Sequence, residues 1–175
     1  IYSPDGQAPQ SDILDHCRNF EETIEKVGGI DYALLGLGRA GNIGINIAGS
    51  SLNSNTRMVI LDVQSRKEAV NTFGSMDNVP MSAITMGIAK IMRAREIALI
   101  AWGEDKAKAI KNVVEGAITD ATPASCLQAH QNARIYTDLS AAFELTRISH
   151  PWLVGSCEWT SKLTRRAIVW LCLRL

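Results

Sequence analysis

The chain has 175 residues, of which 46% are hydrophobic and 21% are charged. This composition excludes a disordered chain and fits about one globular domain. Lys and Arg together number 18 and Asp and Glu number 18, and this zero net charge argues against a protein that binds nucleic acid or an anionic membrane. The longest apolar run, residues 167–173, is far shorter than the roughly 20 residues of a membrane-spanning helix. We therefore expect a cytoplasmic protein with neither nucleic acid nor membrane as a partner.

Hydrophobic periodicity predicts helices that alternate with short strands. The predicted helices cover residues 11–27, 88–92, 104–117 and 139–146, and the predicted strands cover residues 30–35, 56–61, 83–86, 96–102 and 133–137. The first of these strands is a short apolar run that fits burial on both faces. Strands separated by helices are typical of an α/β fold with a mainly parallel sheet. Ligands bind at the carboxyl ends of such strands, so the loops after Leu35, Leu61, Met86 and Trp102 are expected to carry function.

The four cysteines and three histidines are dispersed along the chain. No two cysteines form a C-x-x-C pair, which argues against a disulfide framework and against a zinc site. His16 and Cys17 are adjacent, but neighbouring residues of a helix do not face one site. We expect buried thiols, surface imidazoles, no metal and no cofactor.

The last part of the chain, residues 150–175, differs in character and is predicted to form a unit separate from residues 1–149. Residues 150–159 hold two of the four tryptophans, and residues 160–175 are predicted to form a helix that is apolar almost all round. The apolar surface of such a helix must be buried against another part of this protein or against a partner. The helix either closes the core of this domain, forms an oligomer interface or leads into a further module. Because the chain opens at Ile1 rather than at Met, we expect a processed protein or part of a longer one.

A glycine-rich stretch follows the first predicted strand. The residues from Gly36 to Gly41 match G-x-G-x-x-G, and Asp62 lies about twenty residues further on, where a ribose-binding acid is expected. This pattern predicts a dinucleotide-binding domain. The fingerprint requires a helix directly after its third glycine, however, and Gly44, Gly49 and several asparagines follow here instead. On the pattern alone, a loop that only turns the chain is an equal alternative.

The same stretch resembles the active-site loop of the glucosamine-6-phosphate deaminase (isomerase) family, whose pattern is G-[IV]-G-x-D-G-H-I-A-F-N-E-P. Other segments on both sides of this stretch also resemble family motifs and occur in the same order as in the family: DGQAP, CRNFEETI, GSSLNSNTR, AITMGIAKIMRAREI, GEDKAKAIKNVVEG, ASCLQAHQNARIYTD and FELTR. The resemblance covers approximately Asp5 to Arg147. It implies a modified Rossmann-like, three-layer α/β/α fold, a homo-oligomer and an amino-sugar phosphate as small-molecule partner. In the family, ring opening, isomerisation and loss of ammonia give fructose-6-phosphate.

The resemblance places the family's ring-opening groups at residues that cannot do their chemistry. The family Asp falls on Ala40, the catalytic His on Asn42 and the Glu on Ile47. Asn forms hydrogen bonds but does not exchange a proton near pH 7, and Ala and Ile do neither. The family's proton-shuttling Asp and its T-G-x-T-P phosphate loop have no counterpart here, so residues 1–149 resemble the carboxyl-terminal portion of the family domain. The resemblance therefore implies a chain that is inactive alone.

The resemblance also implies where the sugar phosphate binds. Lys106, in GEDKAKAI, matches the family's phosphate-binding lysine, and Gly38, Arg39 and Gly41 are the expected phosphate contacts of the glycine loop, which we define as residues 36–47. We therefore predict that residues 36–42 of this loop and Lys106 meet at the carboxyl edge of the sheet.

Two further sets of positions follow from the resemblance. A family arginine that binds phosphate falls near Asn71. Arg66, one turn away, is either its substitute or, as the safer interpretation, an ordinary surface arginine. At a regulatory site used by some family members, Ser50, Ser51 and Arg57 match the family residues. The basic position of that site is occupied by Val59, which argues against allosteric control by an amino-sugar phosphate.

Three functions therefore remain open. The first is a fragment of a deaminase-family enzyme, with or without altered chemistry. The second is a non-catalytic module that binds a sugar phosphate or has a regulatory role, and the third is a dinucleotide-binding domain.

Overall fold

The computed structural model describes residues 1–174. Its strands are β1 (Tyr32–Gly36), β2 (Arg57–Ile60), β3 (Ser82–Thr85), β4 (Glu96–Ala101) and β5 (Ala133–Thr137). Its helices are α1 (Ile13–Lys26), α2 (Val63–Phe73), α3 (Ile88–Ile91), α4 (Ala107–Glu115), α5 (Thr146–Ser149) and α6 (Ser161–Cys172). Tight 3₁₀ turns lie before α4, at Glu104–Lys106, and before β5, at Pro123–Ala129.

Three strands form a parallel sheet in the order β1-β4-β5. Leu34 of β1 lies beside Ala98 of β4, which in turn lies beside Arg134 of β5. Because parallel neighbours need a crossover connection, the helices lie between these strands in sequence. The structure confirms the predicted α/β fold with a parallel sheet. The central strand, β4, is the most apolar one and is buried along most of its length.

The hydrophobic core lies on one face of this sheet. Ile97 and Leu99 of β4 are fully buried there, and they belong to one cluster with Ile110 and Val113 of α4 and Ile88 of α3. Each such side chain contributes about 1.5–3 kcal/mol when it leaves water. The alternation of side chains along β4 therefore directs its odd-numbered residues into the core.

The opposite face of the sheet carries large side chains that remain in contact with solvent. Tyr32, Leu34 and Tyr136 are exposed to 52%, 64% and 47%, and we call these three residues and the sheet surface between them the open face. The prediction that the first strand is buried on both faces is therefore wrong. Strand β1 is an edge strand with one face toward the core, so its side chains alternate between exposed and half-buried.

The other two strands do not join the parallel sheet. β2 and β3 form a separate antiparallel ribbon in which Val59 lies beside Ala83, and these two strands are the exception to the mainly parallel arrangement. Helix α2, which was not predicted, connects them. It begins where Asp62 accepts a hydrogen bond from the backbone N–H of Ser65 at 2.6 Å, and it ends at Gly74, whose φ of 81° favours glycine.

The predicted helix over residues 139–146 is also wrong. This segment is a series of turns, and α5 begins only at Thr146. The Asp138 carboxylate accepts hydrogen bonds from the backbone N–H groups of Gly103 and Ala141, and these bonds hold the segment in turns. The carboxylate of Glu115 accepts from the backbone N–H of Thr146 at 2.7 Å and so satisfies a free donor at the start of α5.

The carboxyl-terminal segment forms a helix, as predicted, but α6 ends at Cys172, and Leu175 lies outside the described residues. Trp152 packs against Trp159 and Trp170, with ring centroids 6.1 and 6.3 Å apart. Ile168 and other apolar residues of α6 remain exposed. Among residues 1–174, no helix combines the length and the apolar character that crossing a bilayer requires.

Candidate functional site

The ends of β1 and β4 bring two sequence-distant segments to one edge of the sheet. Gly36, the last residue of β1, pairs with Ile100 of β4, so the glycine loop and the turn before α4 leave the sheet side by side. The Nε of Arg39 donates to Oδ2 of Asp105 at 2.9 Å, and Nζ of Lys106 lies 3.9 Å from the same oxygen. The glycine loop and Lys106 therefore meet at the carboxyl edge, as the sequence predicts.

The glycine loop begins with a tight turn. The backbone N–H of Gly38 donates to the carbonyl of Asn42 at 2.9 Å, and that of Gly41 donates to the carbonyl of Gly38 at 3.0 Å. Gly41 has a φ of 81°, and a Cβ there would lie 2.7 Å from the methyl group of Thr122. A Cβ on Gly38 would overlap the side chain of Asn42. Gly41 is therefore required by its backbone conformation and by packing, whereas Gly38 avoids a contact with one side chain.

The structure does not meet the requirements of the dinucleotide-binding hypothesis. Residues 42–56 form turns and isolated bridges rather than the helix that would direct its amino terminus at a pyrophosphate. The carboxylate of Asp62 caps the amino terminus of α2, so it is already engaged and is not free to bind a ribose. Strand β2, which precedes Asp62, also lies outside the parallel sheet.

The three positions of the family's acid–base groups lie along the glycine loop but form no catalytic cluster. Ala40 is exposed, while Asn42 and Ile47 are half-buried. The Asn42 amide makes only a long contact, 3.5 Å, to the carbonyl of Gly44. Asn42 also lines a cavity of about 380 Å³, whose wall from α2 carries Ser65 and Glu68. These two polar residues were missed at the sequence level because α2 itself was not predicted.

Asn46 fastens the glycine loop to the rest of the fold. Its side chain is fully buried and donates to the carbonyls of Ile43 at 3.1 Å and Met86 at 2.9 Å. Its side-chain oxygen accepts a hydrogen bond from Arg57 at 2.9 Å. Asn46 was counted only as a poor helix former, although it occupies the Asn position of the family pattern, which was the signal available.

The three expected regulatory residues divide into two groups. Arg57 also donates to the hydroxyl of the buried Ser50 at 3.1 Å, so these two residues bind each other inside the fold. Ser51 is exposed, and its hydroxyl accepts from the backbone N–H of Asn53. The contact of Arg57 with Asn46 holds the glycine loop, and together with the contact to Ser50 it leaves the guanidinium little freedom to bind an effector.

A second segment holds the glycine loop from the other side. The backbone N–H of Ala124 donates to the carbonyl of Gly41 at 2.9 Å, and that of Gly49 donates to the carbonyl of Asp120 at 2.9 Å. The buried Ser125 hydroxyl accepts from the backbone N–H of Thr119 at 2.9 Å and keeps this segment in its turn. The loop is thus held rigidly, which reduces the entropy that a ligand must remove on binding.

Arg66 does not replace the missing phosphate-binding arginine. Its guanidinium donates to the carbonyls of Met76 at 2.9 Å and Val79 at 3.4 Å, and so it holds the segment after α2. Asn71 is exposed on α2. Of the expected phosphate contacts, the structure therefore brings Gly38, Arg39, Gly41 and Lys106 to the carboxyl edge but not Arg66.

Comparison with known proteins is consistent with this geometry. A family model described as glucosamine-6-phosphate isomerases/6-phosphogluconolactonase matches residues 2–136. A glucosamine-6-phosphate deaminase-like protein of Bacteroides thetaiotaomicron is 55% identical over 98% of this chain and 26% of its own length. A glucosamine-6-phosphate deaminase of Corynebacterium urealyticum is 43% identical over 83% of this chain and 56% of its own length. The chain thus spans only part of the relatives that it matches.

Solved structures agree with the sequence comparison. A monomeric glucosamine-6-phosphate deaminase superposes with a TM-score of 0.78 at 38% identity, over 82% of this chain and 58% of that one. A 6-phosphogluconolactonase from Trypanosoma cruzi superposes with a TM-score of 0.61 at 18% identity, over 79% of this chain and 54% of that one, and supports the fold alone. On the family model, the sequence identity and the shared fold, this chain belongs to the glucosamine-6-phosphate isomerase/6-phosphogluconolactonase family.

Proposed function

We propose that this chain binds an amino-sugar phosphate at the carboxyl edge of its parallel sheet and does not deaminate it. The observation that carries the proposal is the convergence of Arg39 and Lys106, from two different loops, on the carboxylate of Asp105. Two cations that share one carboxylate can exchange it for a phosphate, which offers more charge and more acceptor oxygens.

The burial of the two cations suits a phosphate that enters from solvent. The Arg39 side chain is 59% exposed and can reorient, whereas Lys106 is only 20% exposed and is held in the first turn before α4. We assign Lys106 as the fixed phosphate contact and Arg39 as the mobile one.

The nature of the sugar is proposed from the relatives. Those proteins are glucosamine-6-phosphate deaminases, and the cavity beside Asn42 has about 380 Å³, within the range of about 300–1,000 Å³ that is typical of small-molecule sites. The Glu68 carboxylate on its wall is a suitable partner for the ammonium group of an amino sugar.

The absence of deamination is proposed from the residues at the family's acid–base positions. Ala40, Asn42 and Ile47 offer no group that can take up or deliver a proton near pH 7. Each positioned acid or base contributes typically about 10²–10⁴-fold to a rate, so losing all three removes most of the catalytic effect.

Calorimetric titration of the chain with glucosamine-6-phosphate, glucosamine and inorganic phosphate tests the proposal. We expect the sugar phosphate to bind most tightly and Lys106→Gln to weaken it about tenfold or more, since a hydrogen bond to a charged group contributes about 1.5–3 kcal/mol. Lys108→Gln, on the exposed surface of α4, is the matched control. Asp105→Asn is expected to tighten binding because it removes the competing carboxylate. Equal affinity for glucosamine, or no effect of Lys106→Gln, would contradict the proposal.

A further inference from the structure

The carboxyl-terminal segment forms a cavity that the proposed function does not use. The cavity has about 380 Å³, within the range of about 300–1,000 Å³ that is typical of small-molecule sites. It is lined by His150 and Trp152, which precede α6, and by residues of α6 and its carboxyl end. All of them lie after residue 149, whereas the family model matches residues 2–136. The cavity therefore lies outside the region that the family model matches.

Two neighbouring rows of side chains on α6 line this cavity. Residues four apart on a helix share a face, so Arg165 and Val169 form one row, which continues to Leu173 just after the helix. Arg166 and Trp170 form the second row. Successive members of a row are about 6 Å apart along the helix axis. The first row thus carries a cation at one end and apolar side chains beyond it.

Aromatic rings form the apolar part of the cavity. Trp152 and Trp170 meet edge to face, with ring centroids 6.3 Å apart and ring planes at 76°. His150 lies edge to face against Trp152, with centroids 5.3 Å apart. All three side chains are half-buried. Rings arranged in this way offer a flat ligand one ring face to stack on and one ring edge to contact.

One guanidinium group at the cavity lacks a partner among residues 1–174. Arg166 donates to the carbonyl of Ser149, and the guanidinium of Arg174 lies over the Trp170 ring, 4.2 Å from its centroid. Arg165 makes neither a hydrogen bond nor an ion pair with a described residue. Residues 150–174 also contain four Lys and Arg residues but one acidic residue. The surroundings of the cavity therefore attract an anion, and Arg165 is available to bind it.

We propose that this cavity binds an aromatic carboxylate, with the carboxylate on Arg165 and the flat ring against Trp152 and Trp170. The planar guanidinium fork matches a carboxylate in a bidentate pair. A phosphate dianion suits the site less, because its second charge would find no second unpaired guanidinium. The site accompanies the family domain rather than belonging to it: the match to the Bacteroides thetaiotaomicron protein extends over 98% of the chain and so into this segment.

Calorimetric titration with two matched probes tests this proposal. The probes are naphthoate and the uncharged naphthamide, which has nearly the same shape. We expect naphthoate to bind one-to-one and about tenfold more tightly, since a hydrogen bond to a charged group is stronger than one to a neutral group. Arg165→Gln should lower the affinity for naphthoate to that for naphthamide and leave naphthamide binding unchanged, which also shows that the variant folds.

Lys162→Gln is the matched control for Arg165→Gln. Lys162 is exposed on the same helix and carries the same charge, but it does not line the cavity. We expect this variant to bind naphthoate as the unchanged chain does. Glucosamine-6-phosphate should not displace naphthoate, because the sugar phosphate is proposed to bind at the carboxyl edge of the sheet. The two proposals can therefore fail independently.

A second measurement locates the bound probe. Burial lowers the pKa of His150, and the positive charges of Arg166, Lys111 and Arg174 lower it further. A carboxylate bound in the same cavity adds a negative charge, which favours the imidazolium and raises this pKa. NMR titration of the ring protons measures the shift, and the signal is assigned by its loss in His150→Gln. Naphthamide should not raise the pKa, and the signals of His16 and His130 are the internal references.

Four results would overturn the proposal. The first is equal affinity for naphthoate and naphthamide. The second is an equal loss of affinity in Lys162→Gln and Arg165→Gln, which would mean a general charge effect. The third is an unchanged His150 pKa at saturating naphthoate, or displacement of naphthoate by glucosamine-6-phosphate, since the probe would then bind elsewhere. The fourth is binding of the chain to vesicles of anionic lipid without binding of naphthoate, which would identify this segment as a lipid-binding surface.

Discussion

The guanidinium of Arg57 donates a hydrogen bond of 2.9 Å to the side-chain oxygen of Asn46, and this contact joins the β2–β3 ribbon to the glycine loop. The amide end of Asn46 donates in turn to the carbonyls of Ile43 and Met86. One buried side chain thus connects three parts of the chain. Such a satisfied polar group specifies the position of a loop more strictly than apolar contacts do.

Asn46→Ala is expected to lower the free energy of unfolding by about 2–4 kcal/mol. The substitution removes three hydrogen bonds and leaves buried polar groups without partners, each of which costs about 1–3 kcal/mol. Urea denaturation measures the change. Asn53→Ala, at an exposed position of the following segment, is the control and should stay within about 0.5 kcal/mol. Unchanged stability of Asn46→Ala would show that this network does not hold the loop.

Gly38→Ala and Gly87→Ala are expected to act differently although both introduce a close contact. The new Cβ at Gly87 would overlap the backbone of Ser54 and Asn55, which cannot move without disturbing α3. At Gly38 it would overlap only the side chain of Asn42, which can rotate. We expect Gly87→Ala to cost about 1–3 kcal/mol, as overpacking does, and Gly38→Ala to cost less.

A double substitution checks the cause of the Gly38 effect. If the contact with Asn42 is responsible, Gly38→Ala combined with Asn42→Ala should be more stable than the sum of the two single changes predicts. Strict additivity in urea denaturation would mean that the cost at Gly38 has another origin.

The chain is expected to release no ammonia from glucosamine-6-phosphate above background in a coupled assay. Asn42→His alone should not restore turnover, because Ala40 and Ile47 provide no carboxylate to orient and charge-balance an imidazole. Turnover of the unchanged chain at the level of the Corynebacterium urealyticum deaminase, measured in parallel, would refute this prediction. Calorimetric binding of the same sugar phosphate separates loss of chemistry from loss of binding.

The four cysteines are expected to differ in reactivity toward a disulfide reagent at pH 8. Burial raises the pKa of Cys126 to about 11, and burial together with the nearby Glu21 raises the pKa of Cys17. Little thiolate then forms at either position, and the thiolate is the reactive species. The exposed Cys172 should react first, and Cys17 and Cys126 only on unfolding. Loss of the fast phase in Cys172→Ser checks the assignment, and fast reaction of all four thiols would contradict it.

The parts of the fold that could be predicted from the sequence are those with strong local signals. Helix α1 has clear apolar periodicity, and β4 is a continuous apolar run, so both were found within a few residues of their true ends. Helix α2 buries no side chain completely, so it carries little periodicity to detect. The antiparallel pairing of β2 with β3 depends on α2 and was missed with it.

The candidate site was predictable to a similar extent. The glycines and Lys106 stood out because each follows a strand and belongs to a recognisable motif. Asp105, which Arg39 and Lys106 share, did not, because its role depends on two loops meeting in space. Arg66 and Arg57 were candidates for contact with a ligand, and both donate to groups of the chain itself. Whether a polar residue faces a ligand or the protein is decided by tertiary packing.

The residues that hold the glycine loop bind partners that are distant in the sequence. This separation affects the order in which parts of the protein fold. Arg39 and Asp105 are 66 residues apart, and Asn46 and Met86 are 40 apart. Closing such long segments costs entropy before any contact is gained, so the loop should order late, after β4 and α4 have docked. Interactions made after the transition state slow unfolding and leave the folding rate nearly unchanged. Substitutions at Asn46 or Asp105 would therefore shorten the lifetime of the native state rather than delay its formation.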